Sequence, residues 1–162
     1  MRNTTQTIDR SPLKFSYYII VLEGEMAMKE QWAKEVVQVR VARPTHQLSA
    51  IERFYCEGVG LEKIGSFTGH RGYNGMMIGL PNANYHLEFT EHIEGSPCPA
   101  PTKDNLLVLY MPNIEAIQRI VKRLSQMGYP EVEPENLYWA EKGVTIEDPD
   151  GWRIVLMNTE GI

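Results

Sequence analysis

The side chains of this chain that are best placed for chemistry are His86 and Glu88, in a segment that reads as a β-strand over residues 85–90. Successive side chains of a strand point to opposite faces, so two residues that are two positions apart share a face. A histidine near a carboxylate can act as a general base with an orienting partner. Spacing along one strand does not establish that role, because an interior histidine held by hydrogen bonds is the more common arrangement. His86 and Glu88 are therefore candidate catalytic residues, and the catalytic residues themselves stay unknown at this point.

The composition is that of a globular protein and excludes several functions. The 162 residues can form one domain or two half-size modules that share a core. A formal net charge of -5 gives no general attraction to nucleic acid or to anionic lipid. The apolar run at residues 15–22 is far shorter than the ~20 residues that cross a bilayer, and no small-residue cleavage site accompanies it. We therefore expect a cytoplasmic protein that binds neither nucleic acid nor membranes.

Two further features have simple interpretations. Cys56 and Cys98 are far apart and lack the CxxC spacing of zinc sites, so we expect two reduced thiols and neither a zinc site nor a disulfide. The sequence Asp-Pro-Asp-Gly at residues 148–151 is acidic enough to suggest calcium binding, but a tight turn between strands is the simpler interpretation.

The elements that must position these side chains occur in the same order twice. From residue 36 onward, each half of the chain reads as a strand, an amphipathic helix and three further strands. In the first half the strand is 36–42, the helix is 47–57, and the later strands are 62–67, 73–80 and 85–90. In the second half the strand is 106–111, the helix follows the cap residue Asn113 and ends at Gly128, and extended segments lie around Val132, at 143–147 and at 152–158. The repeat predicts two copies of one βαβββ unit.

The predicted fold is α+β, with two tandem βαβββ modules that pair into an incomplete barrel with a central cavity. The first module covers residues 36–95 and the second covers residues 104–158. Between them, residues 96–103 form a proline-rich linker that can hold neither a helix nor a central strand.

The first 35 residues do not follow the repeat. We interpret residues 1–35 as an appendage that is disordered or that lies upstream of the natural start. Met26 or Met28 is the hypothesised start, because the preceding Glu-Gly-Glu at residues 23–25 can be encoded by a purine-rich stretch similar to a bacterial ribosome-binding site.

Three motifs carry a family resemblance. The first consists of Val-Ala-Arg-Pro-Thr at 41–45, Arg-Phe-Tyr at 53–55 and Gly-Val-Gly-Leu at 58–61; the second is His-Leu-Glu-Phe at 86–89; the third is Glu-Asp-Pro-Asp-Gly at 147–151 followed by Trp-Arg-Ile-Val-Leu. Residues 36–158 thereby resemble the vicinal oxygen chelate superfamily, which includes glyoxalases, bleomycin-resistance proteins and extradiol dioxygenases. The resemblance implies the same incomplete barrel.

The resemblance also implies where a metal would bind. Metalloenzymes of this superfamily take His, Gln or Glu ligands from the first and fourth strands of each module. The corresponding positions here are Arg40, Glu88, Leu106 and Val155. Only Glu88 can bind a metal, because leucine and valine offer no donor atom and a guanidinium repels a cation. We therefore expect no metal and no other cofactor, with a divalent metal as the alternative.

The replaced residues imply a different pocket. An ion pair between Arg40 and Glu88 can take the place of the metal ion, and His86 shares the face of Glu88. A structural salt bridge that fills a disused cavity is the alternative interpretation of that pair. The predicted ligand-binding residues are Arg40, His86, Glu88, Leu106, Tyr110, Arg153 and Val155. One polar and one apolar wall favour a small organic molecule with an apolar body and a hydrogen-bonding or anionic head.

The expected function is that of a glyoxalase-like or bleomycin-resistance-like protein that binds a small-molecule ligand or substrate without a metal. One alternative is a metal-dependent lyase or isomerase of the glyoxalase kind, or a dioxygenase, that uses Glu88. Another is a non-catalytic interaction protein whose cavity is filled by its own side chains. The exposed edges of two incomplete sheets would allow a homodimer.

Overall fold

The computed structural model describes residues 34–80, 83–96 and 98–161. The chain divides into two compact units, Met1–Gln38 and Val39–Ile162, and the second unit contains the strands and helices given below. Apart from positions 34 and 35, the predicted appendage lies outside the described residues, and so do the hypothesised starts at Met26 and Met28. Within the described ranges, no helix is both long and apolar enough to cross a membrane.

The first module follows the predicted order of elements. Strand β1 is Val39–Pro44; helix α1 is Leu48–Glu52 and continues as a π-helical segment, Arg53–Val59; strands β2, β3 and β4 are Glu62–His70, Tyr73–Gly79 and Tyr85–His92. The strands form one sheet in the order β1-β4-β3-β2. β1 runs parallel to β4, and the other neighbours are antiparallel.

The second module repeats this topology. Strand β5 is Leu106–Tyr110; helix α2 is Ile114–Gln126; strand β6 is Glu131–Val132; a 3₁₀ helix is Leu137–Ala140; strands β7 and β8 are Gly143–Glu147 and Arg153–Met157. The sheet order is β5-β8-β7-β6, with β5 parallel to β8. These two four-stranded mixed sheets confirm the predicted α+β fold of two tandem βαβββ modules.

Three local signals set the ends of the helices as the sequence predicted. The side chain of Asn113 accepts a hydrogen bond from an N–H in the first turn of α2, which satisfies one of the donors that a helix start leaves unpaired. Gly60 and Gly128 end the two helical segments with φ angles of 96° and 95°. Only glycine adopts such left-handed angles without a steric cost, so both helices end where glycine allows the chain to turn.

Strand β1 begins and ends later than the sequence predicted. It covers Val39–Pro44 instead of residues 36–42, and it includes Pro44. β1 lies at the edge of its sheet, where the missing N–H of a proline removes no ladder hydrogen bond. The sequence gives no sign that distinguishes an edge strand from a central one at this position, so the proline was interpreted as its end.

One hydrophobic core joins the two modules. Helix residues such as Phe54 and Leu124, both without exposed surface, pack with Phe89 of β4 and Ile154 of β8. The remaining buried members of the core are Ile51, Tyr55, Val59, Met76, Ile78, Leu87, Ile117, Ile120, Ile146 and Leu156. Because side chains alternate along a strand, the residues between these core positions point to the other face of each sheet. We call these two surfaces the helix-distal faces.

An arginine whose side chain is only 12% exposed, Arg43, holds the turn between β7 and β8 against the first module. Its Nη2 donates to Oδ2 of Asp148, and the hydroxyl of Tyr55 donates to the same oxygen at 2.9 Å. Its Nη1 lies 3.4 Å from Oδ2 of Asp150. The side chain of Asp148 has no exposed surface, so water screens this ion pair little. Removal of one partner from such a pair typically costs about 3–5 kcal/mol of stability.

Two aromatic rings enclose the same guanidinium. Cζ of Arg43 lies 4.7 Å from the ring centroid of Phe89 and 4.8 Å from that of Trp152. A guanidinium within ~6 Å of an aromatic ring is attracted by the negative face of the ring. Phe89 belongs to the first module and Trp152 follows the turn of the second. The guanidinium therefore contacts both modules through these two rings as well as through its ion pairs.

The acidic turn at residues 148–151 is present and has a second role. Oδ1 of Asp148 accepts the N–H of Asp150 at 2.9 Å, and Gly151 has a φ of 80°, as a tight turn requires. The turn also accepts two hydrogen bonds from Nε2 of Gln47, through the carbonyl of Pro149 and through Oδ1 of Asp150, each at 2.8 Å. The turn therefore docks the second module onto the first, which the sequence did not predict.

The hydroxyl of Tyr55 stays protonated well into the alkaline range. Burial raises the pKa of this hydroxyl well above its ordinary value of 10.0, and the carboxylate of Asp148 raises it further, while Arg43 opposes the shift. The folded pKa therefore exceeds the unfolded pKa. The contribution of Tyr55 to stability is fully present below the unfolded pKa and is lost as the pH rises through the folded pKa.

We predict that the free energy of unfolding falls less steeply above about pH 10 in Tyr55→Phe than in the natural protein. A tyrosine that ionises only in the unfolded state lowers stability by up to ~1.4 kcal/mol per pH unit, and phenylalanine removes that term. Denaturant unfolding at several alkaline pH values measures the slope. Tyr138, which is 52% exposed, offers the matched control Tyr138→Phe, whose slope should equal that of the natural protein. Equal slopes for Tyr55→Phe and the natural protein would contradict the prediction.

Candidate functional site

The helix-distal face of the first sheet holds a polar cluster of Arg40, His86 and Glu88. The parallel register of β1 and β4 pairs Arg40 with His86 and Ala42 with Glu88. Nη1 of Arg40 lies 2.6 Å from Oε2 of Glu88, and Nε of Arg40 donates to Nε2 of His86 at 2.9 Å. The structure therefore brings together the three polar residues that the sequence analysis assigned to one pocket.

This cluster is buried at its centre and reaches solvent at Arg40. His86 and Glu88 are 4% and 8% exposed, whereas the side chain of Arg40 is 52% exposed. Because Nε2 of His86 accepts the bond from Arg40, the ring proton is assigned to Nδ1, which has no hydrogen-bond partner among the described residues. The only basic nitrogen of His86 is thus engaged by a guanidinium, which leaves the ring without a free lone pair for a general base.

The second module carries apolar side chains at the equivalent positions. The register of β5 and β8 repeats that of β1 and β4, so Leu106 takes the place of Arg40. Val155 takes the place of Glu88 by the same register. The four positions that the resemblance assigned to a metal are therefore equivalent in the two modules.

Around Val155, the helix-distal face of the second sheet is covered by its own chain. Val155 has no exposed surface. A Cβ atom built at Gly143 would lie 2.6 Å from the carbonyl oxygen of Trp139 and 3.0 Å from Cγ1 of Val155, so the 3₁₀ helix packs directly over this face. Tyr110, at the end of β5, is exposed. Neither Val155 nor Tyr110 faces a cavity together with the polar cluster of the first module.

The four positions do not fit a metal ion of the kind that the superfamily binds. Glu88 supplies the only oxygen donor, and that carboxylate already has Arg40 as its counter-ion. Leucine and valine add no ligand. A divalent ion beside Glu88 would also have to displace or tolerate a guanidinium 2.6 Å from the carboxylate. The charged guanidinium of Arg40 therefore occupies a position at which metalloenzymes of the superfamily carry a metal ligand.

A cavity of about 230 Å³ lies between the two modules instead. The first module lines it with Val41, Arg43, Tyr55, Tyr85 and Leu87, and the second lines it with Asn105, Leu106, Leu107, Trp152 and Arg153. Of the predicted ligand-binding residues, only Leu106 and Arg153 contribute to its walls. Arg40, His86 and Glu88 form their cluster on the other face of the first sheet.

Arg153 brings to the wall of this cavity a guanidinium that is only partly paired. Its Nε and Nη2 donate to Oε1 of Glu147 at 3.1 and 3.0 Å. Its Nη1 is buried and has no acceptor among the described residues. The other guanidinium on the wall, that of Arg43, already has two carboxylates and a hydroxyl as partners. Arg153 thus retains a donor for a hydrogen-bond acceptor of a ligand.

The first-module wall of the cavity was not predicted from the sequence. Strand alternation assigns Val41, Arg43 and Leu87 to the helix side of the sheet, and the structure agrees. β1 is an edge strand, however, so this side borders the second module as well as the helix. The sequence feature that could have indicated this wall was the motif at residues 41–45, which includes Arg43. Trp152, which follows the acidic turn of the third motif, also lines the cavity.

Comparison with known proteins places the chain in a family. It matches the YycE-like N-terminal domain over residues 39–90 and the YycE-like C-terminal domain over residues 104–158. It is 57% identical over 128 residues to the uncharacterized protein YycE of Bacillus subtilis (strain 168). This match covers 79% of this chain and 92% of the relative.

Solved structures share the fold. A crystal structure of a YycE protein of unknown function from Bacillus subtilis, whose description relates it to glyoxalases and fosfomycin resistance proteins, has a TM-score of 0.76 at 57% identity over 79% of this chain and 93% of that chain. The trypanothione-dependent glyoxalase I of Leishmania major has a TM-score of 0.59 at 16% identity over 74% of this chain and 84% of that chain, which shows likeness of fold alone. Taken with the site geometry, these matches show that the chain belongs to the YycE-like family of the vicinal oxygen chelate superfamily.

Proposed function

We propose that this protein binds a small organic molecule in the cavity between its two modules, and that it does so without a metal ion at the superfamily position. The observation that carries this proposal is the cavity itself, which both modules line and whose wall includes Arg153, a residue with one buried guanidinium nitrogen that has no acceptor among the described residues. A concave, mostly apolar site with a few polar groups is the usual form of a small-molecule site.

The walls of the cavity favour a ligand with two chemically different ends. Val41, Leu87 and Leu106 offer aliphatic surface, and the ring of Trp152 offers a flat aromatic surface. These side chains suit an apolar body. A buried donor that lacks a partner costs about 1–3 kcal/mol, so an acceptor on the ligand that reaches Nη1 of Arg153 would recover this energy. A carboxylate or phosphonate head provides such an acceptor.

The size of the cavity limits the ligand. Ordinary ligand pockets measure about 300–1,000 Å³. The cavity here, at about 230 Å³, is smaller and favours a compact molecule. Fosfomycin resistance appears in the description of a 57% identical structure, and fosfomycin is itself a compact phosphonate. It is therefore a suitable first probe, together with small aliphatic and aromatic carboxylates.

The ion pair between Arg40 and Glu88 supports the metal-free part of the proposal. A guanidinium keeps its charge at any physiological pH, so it compensates the buried carboxylate permanently. A metal ion compensates a carboxylate only while it is bound. The cluster of the first module is thus a stable substitute for a metal, and the ligand has its own place in the cavity on the other side of the sheet.

The alternative functions find less support in the same geometry. A metal-dependent lyase, isomerase or dioxygenase would need Glu88 as a ligand, and Arg40 occupies that carboxylate. A metal-free reaction would need His86 as a base, and its Nε2 accepts a bond from Arg40. A non-catalytic interaction protein was expected to fill its interior, which the cavity argues against.

We predict that chelator-treated protein binds a member of this probe set and that Arg153→Gln weakens the binding at least tenfold. Loss of one hydrogen bond from a charged donor costs about 1.5–3 kcal/mol, and ~1.4 kcal/mol is a factor of ten. Leu106→Trp should abolish binding, because the larger ring fills the cavity. Thermal-shift screening identifies the probe, and calorimetric titration measures its dissociation constant.

Arg119→Gln is the matched control, since Arg119 lies on the exposed surface of α2 and its side chain is 66% exposed. This variant should bind as the natural protein does. Undiminished binding in Leu106→Trp would mean that the ligand lies elsewhere, and it would contradict the proposed site.

A second prediction tests the substitute for the metal. Arg40→Ala leaves Glu88 buried without a counter-ion and should lower the free energy of unfolding by about 1–3 kcal/mol. The added change Glu88→Gln should recover part of the loss, because no uncompensated charge remains. Arg53→Ala, in an exposed pair with Glu57, is the control and should change stability by less than ~1 kcal/mol. Denaturant unfolding measures all four proteins, and an Arg40→Ala variant as stable as the control would contradict the prediction.

A further inference from the structure

Three potential metal ligands meet at a place that the proposed function does not use. They are His46, Cys98 and Asp150, and their ligand atoms all lie within 4.8 Å of one another. Sγ of Cys98 lies 2.8 Å from Nδ1 of His46 and 3.6 Å from Oδ1 of Asp150. A thiol, an imidazole and a carboxylate are the three side-chain donors that zinc uses in proteins.

The three donors come from segments that are far apart in the sequence. His46 lies between β1 and α1, Cys98 lies in the linker between the modules, and Asp150 lies in the turn between β7 and β8. Neighbouring bonds hold two of them in place. Nε1 of Trp152 donates to the carbonyl of Cys98 at 3.2 Å, and Nε2 of Gln47 donates to Oδ1 of Asp150 at 2.8 Å. The cluster is therefore part of the docked arrangement of the two modules.

We propose that His46 Nδ1, Cys98 Sγ and Asp150 Oδ1 bind a divalent transition metal ion of the zinc class, with solvent at the fourth position. Thiolate and imidazole ligands select zinc and cobalt over magnesium and calcium, which prefer oxygen. Cys98 and Asp150 are buried at the cluster, whereas His46 is exposed, so solvent reaches the ion from the histidine side. This site is separate from the superfamily position at Arg40 and Glu88.

The observed distances suit this ion after a small movement of one side chain. Zinc bonds of about 2.3 Å to sulfur and about 2.0–2.1 Å to nitrogen place the two ligand atoms ~3.5 Å apart in a tetrahedral site. The separation of 3.6 Å between Cys98 and Asp150 already matches. The separation of 2.8 Å between Cys98 and His46 is that of a hydrogen bond, and it opens by ~0.7 Å when the metal takes the place of the proton.

Charge balance favours a divalent ion. Metal binding releases the thiol proton of Cys98 to solvent, so the thiolate and the carboxylate of Asp150 together neutralise the ion while His46 stays neutral. Arg43 lies 3.4 Å from Oδ2 of Asp150, and Oδ1, which accepts one bond from Gln47, keeps a second lone pair for the metal.

Cobalt provides the test, because Co²⁺ bound to a thiolate gives a near-ultraviolet charge-transfer band. The natural protein, treated with chelator and reductant and then titrated with Co²⁺, should develop this band with a stoichiometry of one ion per chain, and Zn²⁺ should displace it. The chain contains two cysteines, so the band can come only from Cys56 or Cys98. Cys98→Ser and His46→Gln should each remove the band or weaken cobalt binding at least tenfold.

Cys56→Ser and His70→Gln are the matched controls and should keep the band, since Cys56 lies in the π-helical segment and His70 is exposed at the end of β2. Thermal unfolding without metal checks that each variant is folded. Absence of the band in the natural protein would overturn the proposal. A band that persists in Cys98→Ser, or one that is unchanged in His46→Gln, would overturn the assigned ligands.

Discussion

The arrangement of the two modules depends on the ion pairs of the Arg43 guanidinium. Its ion pairs reach Asp148 and Asp150 of the second module, while Tyr55 of the first module shares the oxygen of Asp148. Water screens the ion pair between Arg43 and Asp148 little. Such an ion pair is stabilising only when its geometry is favourable. The turn must sit at one place against β1 and α1. The cavity between the modules exists because this contact holds its two walls at a fixed separation.

Two arginines explain how this chain departs from its superfamily. Arg40 gives Glu88 a permanent counter-ion. In metalloenzymes of the superfamily, the positions of Arg40 and Glu88 instead carry ligands to a metal ion. Arg153, in the second module, keeps one nitrogen without an acceptor among the described residues at the wall of the cavity. The fold is thus retained while the polar chemistry moves from the helix-distal face of the first sheet to the boundary between modules. Under the proposed function, the cluster of the first module stabilises the fold, and the boundary between the modules binds the ligand.

Much of the fold could be predicted from local patterns, and much of the site could not. The repeated order of strands and helices, the cap at Asn113 and the glycines that end both helices depend on short-range physics, so the sequence carries them directly. Strand alternation also places His86 and Glu88 on one face. It contains no information about what covers a face, which is why the packing of the 3₁₀ helix over Val155 was missed. The meeting of His46 with Cys98 was missed because they are 52 residues apart and have no motif spacing.

The most direct test of the account is to map a bound probe on the protein by methyl NMR. Chelator-treated protein would be titrated with the probe that gives the largest thermal shift, before and after addition of Zn²⁺. The account predicts shift changes at the methyl groups of Val41, Leu87 and Leu106, with the same dissociation constant in both conditions. Changes centred on Met77, the neighbour of Glu88 across β3 and β4, that appear only with Zn²⁺ would contradict it. They would mean that the superfamily position binds a metal despite Arg40.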